Sequence, residues 1–137
     1  MKTLVVFYSY TGKTKVIAEN RAKEEKADIL ELKEKKPRSK FNAYFSGSIA
    51  ARKQRLSELQ DFSADFSKYD KIIIAMPIWA GYPAPAINNI IYILPYGKEI
   101  ELIMTSGSGS SKGSCNKTKA LIEAKGCKVI NYTDIKG

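Results

Sequence analysis

The stretch that decides the fold is TLVVFYSYTGKT, Thr3 to Thr14, in which a short apolar run leads directly into a loop of small and hydroxyl-bearing residues. Thr3 to Tyr8 is continuous, rich in β-branched and aromatic side chains, and typical of a strand that is buried on both faces. Lys13 to Lys26 contains helix-forming residues with three apolar side chains at helical spacing, Val16, Ile17 and Ala22. The stretch predicts a buried strand, a tight loop and a helix.

The alternation of strand and helix continues along the rest of the chain. Further strands are predicted for Asp28 to Lys33, Lys71 to Met76, Ile100 to Thr105 and Cys127 to Thr133, and Pro77 is expected to end the third strand. Helices are predicted for Ala43 to Gln60, for a segment that Pro83 and Pro85 open and that ends near Leu94, and for Ser114 to Ala124. This alternation predicts an α/β fold in a single domain, residues 1–137, with a doubly wound parallel sheet of five strands.

Composition limits the chemistry that side chains alone could perform. The chain has no histidine, and its two cysteines, Cys115 and Cys127, lack CxxC spacing. We therefore predict no disulfide, no metal site and no catalytic residue, and expect any chemistry to come from a bound cofactor. No apolar run approaches the roughly 20 residues of a membrane helix, and the N-terminal run is too short for a signal peptide. We expect a cytoplasmic protein without membrane contact.

The charge is unevenly distributed. The formal net charge is +9, and eight basic residues but only one acidic residue lie between Lys33 and Arg55. This segment is either a solvated surface or a docking site for an acidic partner protein. Nucleic-acid binding is not expected, because no aromatic residues in a recognisable motif accompany the basic ones.

The loop after the first strand has the features of a phosphate site. Ser9-Tyr10-Thr11-Gly12-Lys13-Thr14 lies at a helix N-terminus, where backbone N–H groups and the helix dipole favour an anion. A Walker A loop is excluded because its first glycine would fall at Phe7, and the GxGxxG fingerprint fails both here and in the later loop, where Lys112 replaces its third glycine. The loop predicts a phosphate-binding site of another type.

The pattern Ser/Thr-x-Thr-Gly-x-Thr after the first strand resembles the FMN-phosphate loop of flavodoxins. Two later stretches resemble that family's flavin loops in the same order, Pro77-Ile78-Trp79-Ala80-Gly81 after the third strand and Thr105-Ser106-Gly107-Ser108-Gly109 after the fourth. The resemblance covers nearly the whole chain. It implies a flavodoxin-like fold with strand order 2-1-3-4-5 and FMN at the switch point between the first and third strands.

The resemblance also implies a role for each loop. The phosphate-loop residues Ser9, Tyr10, Thr11, Gly12, Lys13 and Thr14 would hold the FMN phosphate. Trp79 would stack on the isoalloxazine, and Ala80 or Gly81 would place a backbone group near flavin N5. The remaining implied cofactor-binding residues are Pro77, Ile78, Thr105, Ser106, Gly107, Ser108 and Gly109.

Three features depart from the family pattern. The loop from Thr105 to Gly113 contains no aromatic residue to stack on the flavin. The chain is basic, which predicts a less negative reduction potential than an acidic homologue would have. The sequence given also stops at Gly137, a few residues after the last predicted strand, so that the family's last helix is either missing or cut off. We expect a partly bare apolar sheet face beside the first helix, and with it a homodimer.

The leading functional interpretation is an electron carrier between redox partner proteins. Two alternatives stay open: an FMN-dependent NAD(P)H or quinone-type reductase, and a flavodoxin-fold binding module that has lost FMN. Whether the protein is an enzyme by itself is not decided, although a carrier is preferred because no nicotinamide-binding motif is visible.

Overall fold

The computed structural model describes residues 2–35, 56–62 and 64–137. Strand β1 spans Thr3–Tyr8, and every one of its residues is buried. It pairs in parallel with β2, Asp28–Leu32, on one side and with β3, Lys71–Trp79, on the other. This central position explains why the sequence of β1 is apolar on both faces.

Three more strands complete the sheet. The two-residue strand β4, Tyr82–Pro83, forms an antiparallel hairpin with the end of β3. Strand β5, Glu99–Ser106, pairs in parallel with β3, and β6, Lys128–Lys136, pairs in parallel with β5. The sheet order is β2-β1-β3-β5-β6. This confirms the predicted α/β class, and the five parallel strands keep the predicted order, while β4 was not predicted.

The helices cover the two faces of the sheet separately. Helix α1, Lys13–Glu25, packs on one face through Ala18 and Ala22. Helices α2, Ala86–Ile93, and α3, Cys115–Glu123, pack on the other face, where Ile90 and Ile122 are fully buried. Alternate residues of β1 and β3 point into each of these two apolar layers. The sheet is therefore doubly wound, as predicted.

Some predicted boundaries were wrong. Pro77 does not end β3, because it stays paired with Thr105 of β5. On the other side it lies beyond Ala75, the last residue of β3 that pairs with β1, so β1 does not need a backbone N–H from this position. Val16 is 58% exposed rather than part of the apolar face of α1. The helix predicted for Ala43 to Gln60 lies mostly outside the described residues, but residues 56–60 are not helical, and Leu59 forms an antiparallel bridge with Glu34.

The sheet face beside α1 is open at a groove of about 410 Å³ between α1, β5 and β6. On its floor, Glu101 is 3% exposed and accepts two hydrogen bonds of 2.8 Å from the Arg21 guanidinium. Lys71 Nζ lies 3.4 Å from the same carboxylate. Burial acts to raise the pKa of Glu101, but the hydrogen bonds and charges of Arg21 and Lys71 outweigh burial and lower it. The face expected to be bare and apolar therefore carries a buried ion pair.

Candidate functional site

Three loops meet where β1, β3 and β5 end, at one edge of the sheet. They surround a recess of about 130 Å³. The lining residues come from all three loops and from the end of the sequence: Tyr10, Thr11, Lys13, Thr14, Pro77, Ile78, Trp79, Thr105, Ser106, Gly107 and Gly137. All of them except Gly137 are among the residues that the sequence predicted for the site.

The other predicted site residues lie in the same loops but do not line the recess: Ser9, Gly12, Ala80, Gly81, Ser108 and Gly109. Gly12 and Gly109 shape their loops through the backbone. Gly12 has a φ of +98°, a left-handed conformation that glycine adopts freely, and open space surrounds the position of a Cβ. At Gly109, φ is +76° and a Cβ would lie 3.1 Å from the Cβ of Lys136. Glycine is thus favoured by backbone conformation at both positions and also by crowding at Gly109.

The phosphate loop ends in a helix N-terminus that no side chain caps among the described residues. The N–H of Gly12 donates to Ser9 Oγ over 3.0 Å, which folds the loop back onto the end of β1. The first turn of α1 contains no acidic residue that would repel an anion. The free N–H groups of this turn and the positive end of the helix dipole therefore suit a phosphate.

Thr14 and Thr105 join the first and third loops. Their hydroxyl oxygens are 2.8 Å apart in a hydrogen bond, and the residues are only 2% and 3% exposed. The bond connects α1 to β5 across the strand ends. Both residues were predicted as cofactor-binding, and in this structure each is the hydrogen-bond partner of the other.

Trp79 lies between two tyrosines that contact it edge to face. The ring centroids of Tyr8 and Tyr10 lie 5.8 Å and 5.9 Å from that of Trp79, at interplanar angles of 82° and 89°. The Tyr8 hydroxyl donates to Glu34 Oε1 over 2.8 Å, and Ser57 Oγ donates to Glu34 Oε2 over 2.5 Å. Such edge-to-face pairs are favourable and orient the indole. Sequence reasoning missed both supports, because Tyr8 was only the last residue of a predicted strand and Glu34 only the single acidic residue of the basic segment.

A cluster of hydrogen-bonded side chains, which the sequence did not indicate, joins the third loop to β6. Ser111 is 1% exposed, and its Oγ donates to Asp134 Oδ1 over 2.5 Å and lies 2.5 Å from the Tyr132 hydroxyl. Burial raises the pKa of Tyr132 to about 12. At the end of β6, the N–H of Gly137 donates to the carbonyl of Ser106 over 2.9 Å, which brings Gly137 to the recess.

Within residues 2–35, 56–62 and 64–137, no cluster of side chains could hold a metal ion. In the same residues, both cysteines carry free thiols. None of the described helices combines the length and apolar character needed to cross a membrane.

Comparison with known proteins identifies the family. The family model for flavodoxin matches residues 2–136. The chain therefore belongs to the flavodoxin family, and FMN is its cofactor, as the resemblance implied. No curated protein matches the sequence.

Several solved structures share this fold. A Lactobacillus acidophilus flavoprotein, crystallised in complex with FMN, is 27% identical, with a TM-score of 0.78 over 96% of this chain and 91% of that chain. A Bacteroides eggerthii protein with a provisional flavoprotein designation is 22% identical, with a TM-score of 0.83 over 96% and 86%. Streptococcus pneumoniae TIGR4 flavodoxin is 14% identical, with a TM-score of 0.61 over 100% and 87%. The last two likenesses concern the fold alone.

Proposed function

We propose that this flavodoxin carries electrons between partner proteins and holds FMN in the recess formed by its three loops. The observation that supports this most is the convergence of an uncapped helix N-terminus, a half-buried tryptophan and a glycine-containing loop on one recess. When bound, FMN accepts and donates electrons, so the chain itself needs no catalytic acid or base. The residues of the chain bind and orient the cofactor and set its electrostatic surroundings.

The residues present fit FMN. The N–H groups at the start of α1, with Thr11 and Lys13 beside them, would hold the phosphate. Trp79 would cover one side of the ring, and the backbone of Thr105 to Gly109 would face its polar edge. The enclosed volume of about 130 Å³ is smaller than the roughly 300–1,000 Å³ of common ligand pockets, so most of the ring would lie along the open loops.

Binding of FMN and riboflavin to the same preparation tests the role of the phosphate loop. Riboflavin lacks only the phosphate and serves as the matched control ligand. We expect FMN to quench the fluorescence of Trp79 and to bind at least about 100-fold more tightly than riboflavin, since charge-assisted hydrogen bonds contribute roughly 1.5–3 kcal/mol each. Equal affinity for the two ligands would refute a phosphate site at this loop. A well-folded preparation that does not bind FMN would refute the proposed function.

Turnover distinguishes a carrier from a reductase. We expect slow oxidation of NAD(P)H by the FMN-loaded protein with a quinone, and fast electron exchange with a separate reductase protein. Rapid NAD(P)H-to-quinone turnover without another protein would replace the carrier with an FMN-dependent reductase.

The partner is proposed to be acidic, and the described part of the site is consistent with this. The loops at residues 9–14, 77–83 and 105–114 contain Lys13 and Lys112 and no acidic residue. Of the basic segment Lys33 to Arg55, residues 36–55 lie outside the described residues. We expect partner reduction rates to fall steeply as salt is added. Rates that are independent of ionic strength would contradict an acidic docking partner.

The same charges are proposed to make the reduction potential less negative. We expect Lys13→Gln and Lys112→Gln to lower the midpoint potential, because each removes a positive charge that favours the reduced, anionic flavin. Lys68→Gln and Lys128→Gln, which remove exposed charges at the opposite edge of the sheet, are matched controls. If the control variants shifted the midpoint potential as much as the variants at Lys13 and Lys112, a local effect of these two charges would be contradicted.

Three further proposals concern the molecule as a whole. We place it in the cytoplasm, as cell fractionation would test. We expect residues 1–137 to fold as one domain, with a single cooperative unfolding transition. A homodimer remains a proposal, and sedimentation across a concentration series would detect it.

A further inference from the structure

A lysine on α3 contacts the hairpin that carries Trp79. Lys117 Nζ donates to the hydroxyl of Tyr82 over 2.8 Å and lies 5.4 Å from the centroid of the same ring. Tyr82 belongs to the hairpin that carries Trp79, whereas α3 follows directly from the loop after β5. The contact therefore ties the hairpin that carries Trp79 to the helix that follows the third loop.

The hairpin that Lys117 contacts has an unfavourable turn. Trp79 and Tyr82 are paired in antiparallel strands, so Ala80 and Gly81 form a two-residue turn. Both have left-handed backbones, with φ of +52° at Ala80 and +87° at Gly81. Such turns favour Asn-Gly or Gly-Gly, and an alanine at the first position is strained. The turn needs support from outside, and both turn residues are exposed.

We propose that Lys117 is a positioning residue that holds the hairpin Trp79–Tyr82 in its strained turn, and that it thereby determines how tightly FMN is held. The inference rests on the proposed function, because it assigns Lys117 a role toward the same cofactor. The hydrogen bond from an ammonium group is the stronger, charge-assisted kind. A second contact, from the N–H of Ala84 to the carbonyl of Pro77 over 2.8 Å, fixes the base of the hairpin but not its tip.

The chain offers variants that separate position from charge. Lys117→Gln removes the contact and a charge, whereas Tyr82→Phe removes the hydrogen bond and keeps the charge. Lys125→Gln is a matched control, because Lys125 Nζ bonds the carbonyl of Tyr92 over 2.9 Å and lies 5.8 Å from its ring, beyond the far end of α3. Ala80→Gly in the Lys117→Gln background tests rescue, since glycine adopts a left-handed backbone without strain.

The first measurement is hydrogen exchange in the FMN-free protein. We expect Lys117→Gln and Tyr82→Phe to speed amide exchange at Ala80 to Tyr82, and Lys125→Gln to leave it unchanged. This measurement does not depend on FMN binding, so it tests the positioning role even if the proposed function fails. Unchanged exchange in Lys117→Gln would overturn the proposal.

The second measurement is the dissociation constant of FMN. We expect it to rise about tenfold in Lys117→Gln and about threefold in Tyr82→Phe, which keeps the cation above the ring. It should stay within about twofold of the parent in Lys125→Gln and recover in part with Ala80→Gly. A change in Lys117→Gln with none in Tyr82→Phe would mean that charge alone acts, and would overturn the positioning role.

Discussion

The buried bond between Thr14 and Thr105 allows a test of how the site is assembled. The two residues are 91 positions apart in the chain, yet their hydroxyls are 2.8 Å apart. Replacement of either threonine by valine keeps the shape of the side chain and removes one hydroxyl. Each single variant leaves the other hydroxyl buried without its partner, and the double variant removes both.

The expected magnitudes follow from burial. An unpartnered buried hydroxyl costs about 1–3 kcal/mol, and we expect each single variant to lose about 2 kcal/mol of unfolding free energy because both residues are almost wholly buried. Replacement of both partners by apolar groups of the same shape is nearly neutral, so the double variant should lose less than about 1 kcal/mol. The coupling between the two sites should therefore be about 3 kcal/mol.

Urea unfolding of the FMN-free protein measures the unfolding free energies of the parent, the two single variants and the double variant. The comparison holds if the slope of unfolding free energy against urea concentration is the same in all four. Thr11→Val is the control for replacing threonine by valine, because Thr11 is exposed. Its replacement should change the unfolding free energy by less than about 0.5 kcal/mol. A double variant whose loss equals the sum of the two single losses would refute the reasoning. It would mean that the two hydroxyls do not depend on each other.

Three further results are expected from the described contacts. Arg21→Met should cost about 3 kcal/mol at neutral pH, because it leaves the buried carboxylate of Glu101 with Lys71 alone. Since the pKa of Glu101 is lowered in the folded protein, the difference between parent and variant should shrink as acidic pH protonates it, and a pH-independent difference would contradict this. Gly126→Ala should destabilise the protein for two reasons: the backbone there is left-handed, with φ of +80°, and a Cβ would clash with the Tyr96 ring. Thermal unfolding should show that Tyr96→Ala restores only the part of the loss that the clash causes, and no restoration would exclude the clash. The pKa of the Tyr132 hydroxyl is raised to about 12 in the folded protein. The contribution of the neutral hydroxyl to folding stability is therefore fully present below about pH 10 and is lost as the pH rises through about 12. Tyrosinate absorbance should show one titration step at high pH that Tyr132→Phe removes. If this step persists in the variant, it belongs to another tyrosine.

The site combines a usual phosphate loop with unusual electrostatics. The resemblance implied three loops in a fixed order, and the structure brings all three to one recess. Those loops contain no acidic residue, and this is the basis for proposing an acidic partner and a less negative reduction potential.

Local patterns were sufficient to predict most of the strands and helices that the structure describes. The run from Thr3 to Tyr8 could only suit a strand buried on both faces, and its observed bounds match the prediction. The loop rich in hydroxyls and glycine was predicted to lead into a helix, and Gly12 lies directly before Lys13, the first residue of α1. Patterns of this kind can be read from sequence because they arise from the sterics and burial of near neighbours.

The predictions made from Pro77 and Val16 were wrong, because contacts between distant elements decided the structure at both places. Pro77 reads as a strand terminator, but β1 has already ended beside it, so the missing N–H costs nothing. The periodicity of α1 pointed to Val16, whereas the helix buries Thr14 because that residue has a partner on β5. Neither outcome depends on the immediate neighbours in the chain.

By itself, the sequence determined the order of the five parallel strands and of helices α1, α2 and α3, and the composition of the three loops, because short-range sterics and the spacing of apolar residues specify these. Only the tertiary structure decided which side chains meet across the loops. The bond between Thr14 and Thr105, the tyrosines around Trp79 and the contact from Lys117 to Tyr82 all join separate elements. Their geometry depends on the register of parallel strands and the packing of crossover helices, which long-range burial sets and no local pattern records.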